Sequence, residues 1–595
     1  MVPERRSEIA DWTDPDVEQQ ILSDVSIDVP WRTVEKLGSL VRTSGSPEER
    51  EGFDHIMQEL DAAGIVHWLH EPECFISMPL AATVRVDESG GTSYRAKAAV
   101  MSVSTDGAEV AGELAYVPSS GERGGDLFGG NVAFDTSVVA GKIVISEGMP
   151  SPAKVLDAMN AGAIAGVFVH PGEYIHESLT TSVWGTPDLD SYQRQPTIPV
   201  ISVNNPDGLE LIDVAKRNGR IAMSTTLQTD WRPIPILVAE IKGSQAPEEF
   251  VLLSGHLDGW HYGVADNATG CAAILEIARV FQQHAGQLKR SLRVAWWSGH
   301  SHGRYAGSTW YADAFAIDIA RNCVAQINCD SPGARWAETY NHLTCMSEAE
   351  PFVDKVIREV TGITPEPTRP PRAGDYAFNS IGVSSLYMLS STMSEEKRAE
   401  QGFYPVGGCG GNIQWHTEDD TLEIVDRDIL LRDIKMYAAS TLRVLNAPLH
   451  PFDWRVATAD FRRTLESYQE ATGSTFDFGP SFEALGQLNE SLDNLYQNAP
   501  NVESADDPAA KRFNVAQRRL GRLLVRVNYS RMTEFWHDPA INVPALPDLA
   551  PALSAPAIGD DIHARGILRT HLTRGQNRLV WTFEQAREVV EAASA

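Results

Sequence analysis

"EEFVLLSGHLDGWHYGVADNATGCAAILEIARVFQQH", residues 248–284, decides the fold. Its opening run, Phe250 to Ser254, is apolar without alternation, which is how a strand buried on both faces reads. The chain then breaks at Gly259 and Gly263 and resumes as a helix over "GCAAILEIARVFQQH" (270–284), with apolar residues at three- and four-residue spacing. A buried strand feeding a helix is the repeating unit of an open, largely parallel sheet. The turn between them carries four ionisable residues: His256, Asp258, His261 and Asp266.

Working outward, the same alternation continues. "RSLRVAWW" (290–297) reads as a strand, "STWYADAFAI" (308–317) as the start of a helix, and "CVAQINCD" (323–330) and "VSSLYML" (383–389) as strands. The fold class predicted is α/β, a mixed and mostly parallel sheet with helices on both faces, whose ligands gather at the carboxyl ends of the strands. Residues 30–70 read as two helices, the second entering after Ser46-Pro47, and "AATVRV" and "AKAAVMSV" as strands. Residues 109–232 change texture to short strands broken by glycine, with "SPAKVLDAMNAGA" as a helix, and read as a small α/β insert. Residues 1–108 and 233–445 then form the main domain. Residues 446–595 are helical, interrupted by the Pro-rich "DPAINVPALPDLAPALSAPAIGD". A length of 595 residues suits several domains at roughly 150 residues each.

Composition narrows the function. A formal charge of −30 repels nucleic acid phosphates, so no nucleic-acid partner is expected. No run approaches the roughly 18 apolar residues of a membrane span, and no membrane association is expected. The stretch "MVPERRSEIADWTDPDVEQQ" lacks an apolar signal core, so export is not expected. Six cysteines with no CxxC pair suggest neither a disulfide framework nor a thiolate zinc site, and the cytoplasm is the expected compartment.

The strand ends carry the chemistry. "LLSGHLD" offers His256 with Asp258, "GVADNATG" offers Asp266, "INCD" offers Asp330, and "IQWHTEDD" offers His416. Alone, a strand-end Asp is more often a helix cap and a lone His more often a packed, hydrogen-bonded ring. Together, at one edge of one sheet, they suit a borderline divalent cation, zinc above all. In His-x-Asp the carboxylate is placed to fix the imidazole tautomer that binds metal.

These motifs resemble the co-catalytic zinc exopeptidases of the aminopeptidase, glutamate carboxypeptidase and transferrin receptor type. "SGHLDGWHYGVADNATGCAAILEIARVF", "INCDSPG" and "GDYAFNSIGVSSLYM" followed by "WHTEDDTLEIVD" are similar to that family's metal motifs. "GKIVI" followed by "AKVLDAMNAGAIAGVFV" resembles its protease-associated insert, and the C-terminal helices with "RMTEFWHDP" resemble its dimerisation domain. The resemblance implies that His256 binds one metal, that Asp266 bridges two, that Asp330 and His416 bind the other, and that Asp258 orients His256. It implies a homodimer, one or two zinc ions per chain, and metal-activated water attacking the amide or peptide bond of a small substrate.

"WWSGHSHGRYAGS" (296–308) departs from the family. Where two adjacent glutamates supply a general base and a ligand, this chain has neither. Counting from the tryptophans puts His300 at the ligand position, and counting from Gly307-Ser308 puts His302 there. We take His300 as the ligand and His302 as a group left for proton transfer. His261 is a second candidate base, and Glu400 a third, from the glycine-rich stretch "SEEKRAEQGFYPVGGCGGN", where Tyr404 is a candidate oxyanion or substrate contact. Arg369 and Arg372 are candidates to neutralise a substrate carboxylate. The expected function is a metal-dependent hydrolase with histidine in place of glutamate. A non-catalytic scaffold of the transferrin receptor kind and a metal-dependent lyase are the alternatives.

Overall fold

The computed structural model describes residues 14–120, 127–130 and 132–594. The leader-free reading of residues 1–20 rests on a stretch whose first 13 residues lie outside the described ones. The central sheet has strands β1 (Val66–His70), β2 (Ile236–Ile241), β3 (Ala246–His256), β4 (Arg290–Trp297), β5 (Cys323–Asn328) and β6 (Ser385–Leu386). Their spatial order is β1-β2-β4-β3-β5-β6. β3 pairs in parallel with β4 and β5, and β5 with β6, while β1 and β2 close the other edge antiparallel. The sheet is mixed and mostly parallel, as the alternation predicts.

β3 shows why its sequence is continuously apolar. Val251 and Leu253 pack with Ile274, Ile277 and Phe281 of helix α1 (Thr269–Gln283) on one face. Phe250 and Leu252 pack with Tyr311 and Ile319 on the other. Each such side chain stabilises the fold by about 1.5–3 kcal/mol on burial, so a polar replacement at any of these four β3 positions is costly. Helix α2 (Arg427–Asn446) adds Ile434 and Leu442 to the first face. The expected strand over 383–389 shortens to Ser385–Leu386, because Tyr387 takes φ 61° and its N–H donates to the Thr344 carbonyl instead of a strand neighbour.

A second, eight-stranded sheet contains the segments Val110–Tyr116, Ile143–Glu147, Ala165–Val169, Val200–Val203 and Arg220–Pro233. Its longest pairing joins Arg220–Pro233 to Glu73–Val86, so the sheet also draws on residues ahead of 109. The C-terminal helices α3 (Trp454–Thr472), α4 (Gly479–Gln497), α5 (Pro508–Tyr529) and α6 (Ile562–Ser594) share a core of their own. Arg522 on α5 donates to the carbonyls of Ile319, Ala320, Cys323 and Gly382, which pins these helices behind the sheet. The segment after α5 returns to the front, where the Ala540 N–H donates to the Ser182 carbonyl.

Candidate metal centre

Five side chains from distant parts of the sequence meet at the carboxyl ends of β3, β4 and β5. His256 is the last residue of β3. Its Nδ1 lies 2.8 Å from the Asp258 carbonyl, an atom that only accepts, so Nδ1 carries the proton and Nε2 the lone pair. That Nε2 lies 3.0 Å from Asp266 Oδ1 and 3.6 Å from Asp330 Oδ2. The other oxygen of Asp266 lies 3.4 Å from His416 Nε2, whose Nδ1 donates to the Glu177 carbonyl at 3.0 Å. His300 follows β4, stacks on His256 with ring centroids 3.7 Å apart, and pairs through Nδ1 with Asp375 Oδ2 at 2.9 Å. Among the described residues, donor atoms of His256, His300 and Asp330 all lie within 4.8 Å of one another.

Each imidazole thus has Nδ1 tied to an oxygen, and His256 and His416 turn Nε2 toward the carboxylates, the orientation that metal-ligating histidines take. The buried Nε2 of His256 has no hydrogen-bond partner. An imidazole nitrogen facing two carboxylates needs a cation between them, a proton or a metal ion. Burial alone would lower the pKa of His256, but Asp266 and Asp330 raise it well above its ordinary value. Burial likewise raises Asp266, and His256 and His416 more than reverse that, holding it well below the carboxylate range. A set of imidazoles and carboxylates turned toward one another at these distances fits a zinc-like ion.

Backbone geometry brings these groups together. Asn267 donates to the Cys329 and His256 carbonyls and accepts from the N–H groups of Gly270 and Ser331, joining β3, β5 and the start of α1. Gly270 is required there, since a Cβ would lie 2.1 Å from Asn267 Oδ1. Asp420 accepts from the backbone N–H groups of Ala265 and Asp266. The insert sets His416: Glu177 N–H donates to the His416 carbonyl at 2.8 Å, and His176 lies 2.6 Å from the Trp415 carbonyl.

Other expectations fall elsewhere. Asp330 stands on the His256 side of Asp266, not beside His416 alone, because β3 and β5 are adjacent strands. Asp258 orients His256 through its backbone carbonyl; its carboxylate is 3.7 Å from Nδ1 and accepts instead from Ser44 and from the N–H groups of His300 and Ser301. His302 is buried behind Trp260 with Nδ1 3.0 Å from Ser44 Oγ, and burial lowers its pKa to about 4. His261 pairs with Glu177 at 3.0 Å. Glu400 is on a surface helix, Glu395–Gln401, 64% exposed and paired with Lys397, because the period of that helix turns it outward. The Tyr404 hydroxyl is 2.7 Å from His176 Nε2 and so braces the insert. Arg369 donates to the Asn528 carbonyl in the last turn of α5 and Arg372 to the Asp538 carbonyl on the segment that follows.

Three residues of the site escaped the sequence reading. Asp375 accepts from His300 and from the Ser308 hydroxyl at 2.6 Å; its position in "GDYAFN" was the available signal. Asn267 and Arg304 carry no spacing signal, since only the fold shows what they face. The centre opens on a cavity of about 890 Å³, whose wall includes Asp266, His300, Asp330, His416, Arg304 and Arg372.

Residues 237–441, which hold all five of these side chains, match Peptidase family M28. This segment belongs to peptidase family M28. Probable glutamate carboxypeptidase VP8 of Zea mays is 24% identical over 299 residues, 46% of this chain and 40% of that protein. Carboxypeptidase Q of Bos taurus is 28% identical over 162 residues, 26% of this chain and 33% of that protein. The chain therefore matches less than half the length of these curated relatives. Among solved structures, the peptidase M28 precursor of Shewanella amazonensis superposes with a TM-score of 0.55 at 17% identity, covering 72% of this chain and 96% of that one. The zinc aminopeptidase of Bacillus subtilis gives 0.52 at 16% identity over 70% and 94%. The chain shares its fold with these two structures.

Proposed function

We propose that this chain is a metal-dependent hydrolase that cleaves an amide or peptide bond in a small, carboxylate-bearing substrate. The observation that carries the reading is the set of three imidazoles with Nδ1 committed to an oxygen, gathered with Asp266 and Asp330 at the cavity. The family of the segment and the relatives named carboxypeptidase and aminopeptidase support hydrolysis of such bonds. His256, His300, Asp330 and Asp266 would hold the ion, with a histidine where a glutamate is usual. Zinc bound there would lower the pKa of its water to about 7 and polarise a carbonyl oxygen.

The chain's own groups supply the rest. His416 turns Nε2 toward Asp266, with Nδ1–H committed to the Glu177 carbonyl, and is the acceptor we assign for the attacking water's proton. Arg372 supports an anionic substrate. It is 7% exposed, stacks 3.6 Å over Trp184, and leaves Nε without a partner. Burial lowers its pKa to about 10, against an opposing pull from Asp538 and with a further push from Arg304. The neighbouring Asp538 carboxylate is committed to Ser530 and the Arg531 N–H, so the buried guanidinium suits a substrate carboxylate, which it would bind in a fork. The six cysteines are buried and unpaired, which supports a reducing, cytoplasmic setting.

The test is a panel of N-acyl amino acids and dipeptides, each assayed with and without a chelator. Metal-dependent release of the free acid is expected, and its absence across the panel removes the reading. His256→Ala should retain the fold and lose turnover by at least a hundredfold.

A further inference from the structure

The resemblance implies a pair of ions bridged by Asp266. We propose instead that the chain holds one tightly bound divalent ion, ligated by His256, His300 and Asp330 with Asp266 beside them, and that His416 is not among its ligands. The proposal rests on the metal-hydrolase reading.

The geometry sets the two sides of Asp266 apart. Bonds of about 2.1 Å at tetrahedral angles place neighbouring donors about 3.4 Å apart. His256 Nε2 and Asp330 Oδ2 are 3.6 Å apart, and a donor atom of His300 lies within 4.8 Å of both. His300 is held to this side twice, by Asp375 on Nδ1 and by its stack on His256. The side chain standing in for the family's ligand glutamate thereby joins the His256 side. An ion at His416 would have two side-chain donors, His416 Nε2 and Asp266 Oδ2, where zinc sites use three or four.

Charge leads to the same count. With neutral imidazole in place of a carboxylate, the donors carry two negative charges, from Asp266 and Asp330. These balance one divalent ion; a second would find no further charged donor, since the neighbouring Asp375 is committed to His300 and Ser308. The one other cluster of three such residues among those described, Glu177, His261 and Glu418, already holds the ammonium of Lys97, at 3.0 Å from Glu177 and 2.8 Å from Glu418.

Metal content decides it. Full-length protein is stripped with chelator, reloaded with excess zinc chloride, desalted and analysed by inductively coupled plasma mass spectrometry, with circular dichroism confirming the fold of each variant. One zinc per chain is expected. His416→Ala should keep it, whereas His256→Ala and His300→Ala should each fall at least fivefold; His300→Gln replaces His300→Ala should the latter unfold. Two zinc ions per chain, or loss of zinc in His416→Ala with retention in His300→Ala, overturns the proposal. A folded chain that takes no zinc sinks both this and the hydrolase reading. One zinc without amide cleavage sinks the hydrolase reading alone.

Discussion

Asp375 is the residue whose consequence is most specific. Burial raises its pKa, but His300 and Ser308 hold it below the ordinary carboxylate value, so it faces His300 as an anion. Carboxylates in this position typically contribute 10–100-fold to metal affinity. Asp375→Asn should therefore weaken zinc binding by that factor in a competition assay with a chromophoric chelator, while the melting temperature falls little. Arg372 acts on substrate instead. Arg372→Leu should raise KM at least tenfold for a substrate with a free carboxylate, leave kcat within about threefold, and change neither parameter for the corresponding carboxamide.

At the level of elements, the sheet was legible because β3, β4 and β5 are buried on both faces and cannot hide that in their composition. Helix α6 was less so. Only Thr582–Ser594 shows a clear period, while Ile562–Trp581 is polar, carries Gly566 and Gly575, and is anchored by few buried side chains such as Leu572 and Leu579. Gly575 is there because a Cβ would lie 2.7 Å from the Asp548 carbonyl. The ligands were legible as strand-end residues, whereas their partition between the two sides of Asp266 depends on strand adjacency and on Asp375, which spacing does not encode. Where α1 begins beneath β5, Gly270→Ala should clash with Asn267, destabilise by about 1–3 kcal/mol and release the metal, as read by melting with metal analysis.

A separate element junction gives the pH dependence. Glu348 is buried where the main domain meets α3: its carbonyl accepts from Asp453 N–H and its carboxyl from the Ser384 hydroxyl. Burial raises its pKa from 4.5 to about 7. The folded chain thus binds this proton more tightly than the unfolded chain. The associated stability is complete below pH 4.5 and is lost as pH rises through about 7. Glu348→Gln keeps the neutral shape at every pH. Relative to it, the parent chain should lose up to about 3 kcal/mol between pH 4.5 and pH 8 in denaturant titrations; parallel curves would show that the group ionises freely.

For the whole molecule, the insert and the C-terminal segment both act on the centre, the first through Glu177 and His176 and the second by lining the cavity with Ala540 to Asn542. No helix among the described residues is long and apolar enough to cross a membrane. Helix α6 nevertheless exposes Ile562, Ile567 and Trp581, at 85%, 61% and 59%. A homodimer that covers them fits this exposure, and sedimentation velocity should give twice the chain mass, falling to one chain mass in Ile567→Glu with Trp581→Glu.

The central claim is that side chains distant in sequence converge on one divalent ion at the rim of the central sheet. Anomalous diffraction at the zinc absorption edge, from crystals grown with zinc, tests it most directly. The account predicts one strong peak within bonding distance of His256 Nε2, His300 Nε2 and Asp330; two peaks flanking Asp266, or none among these residues, would contradict it.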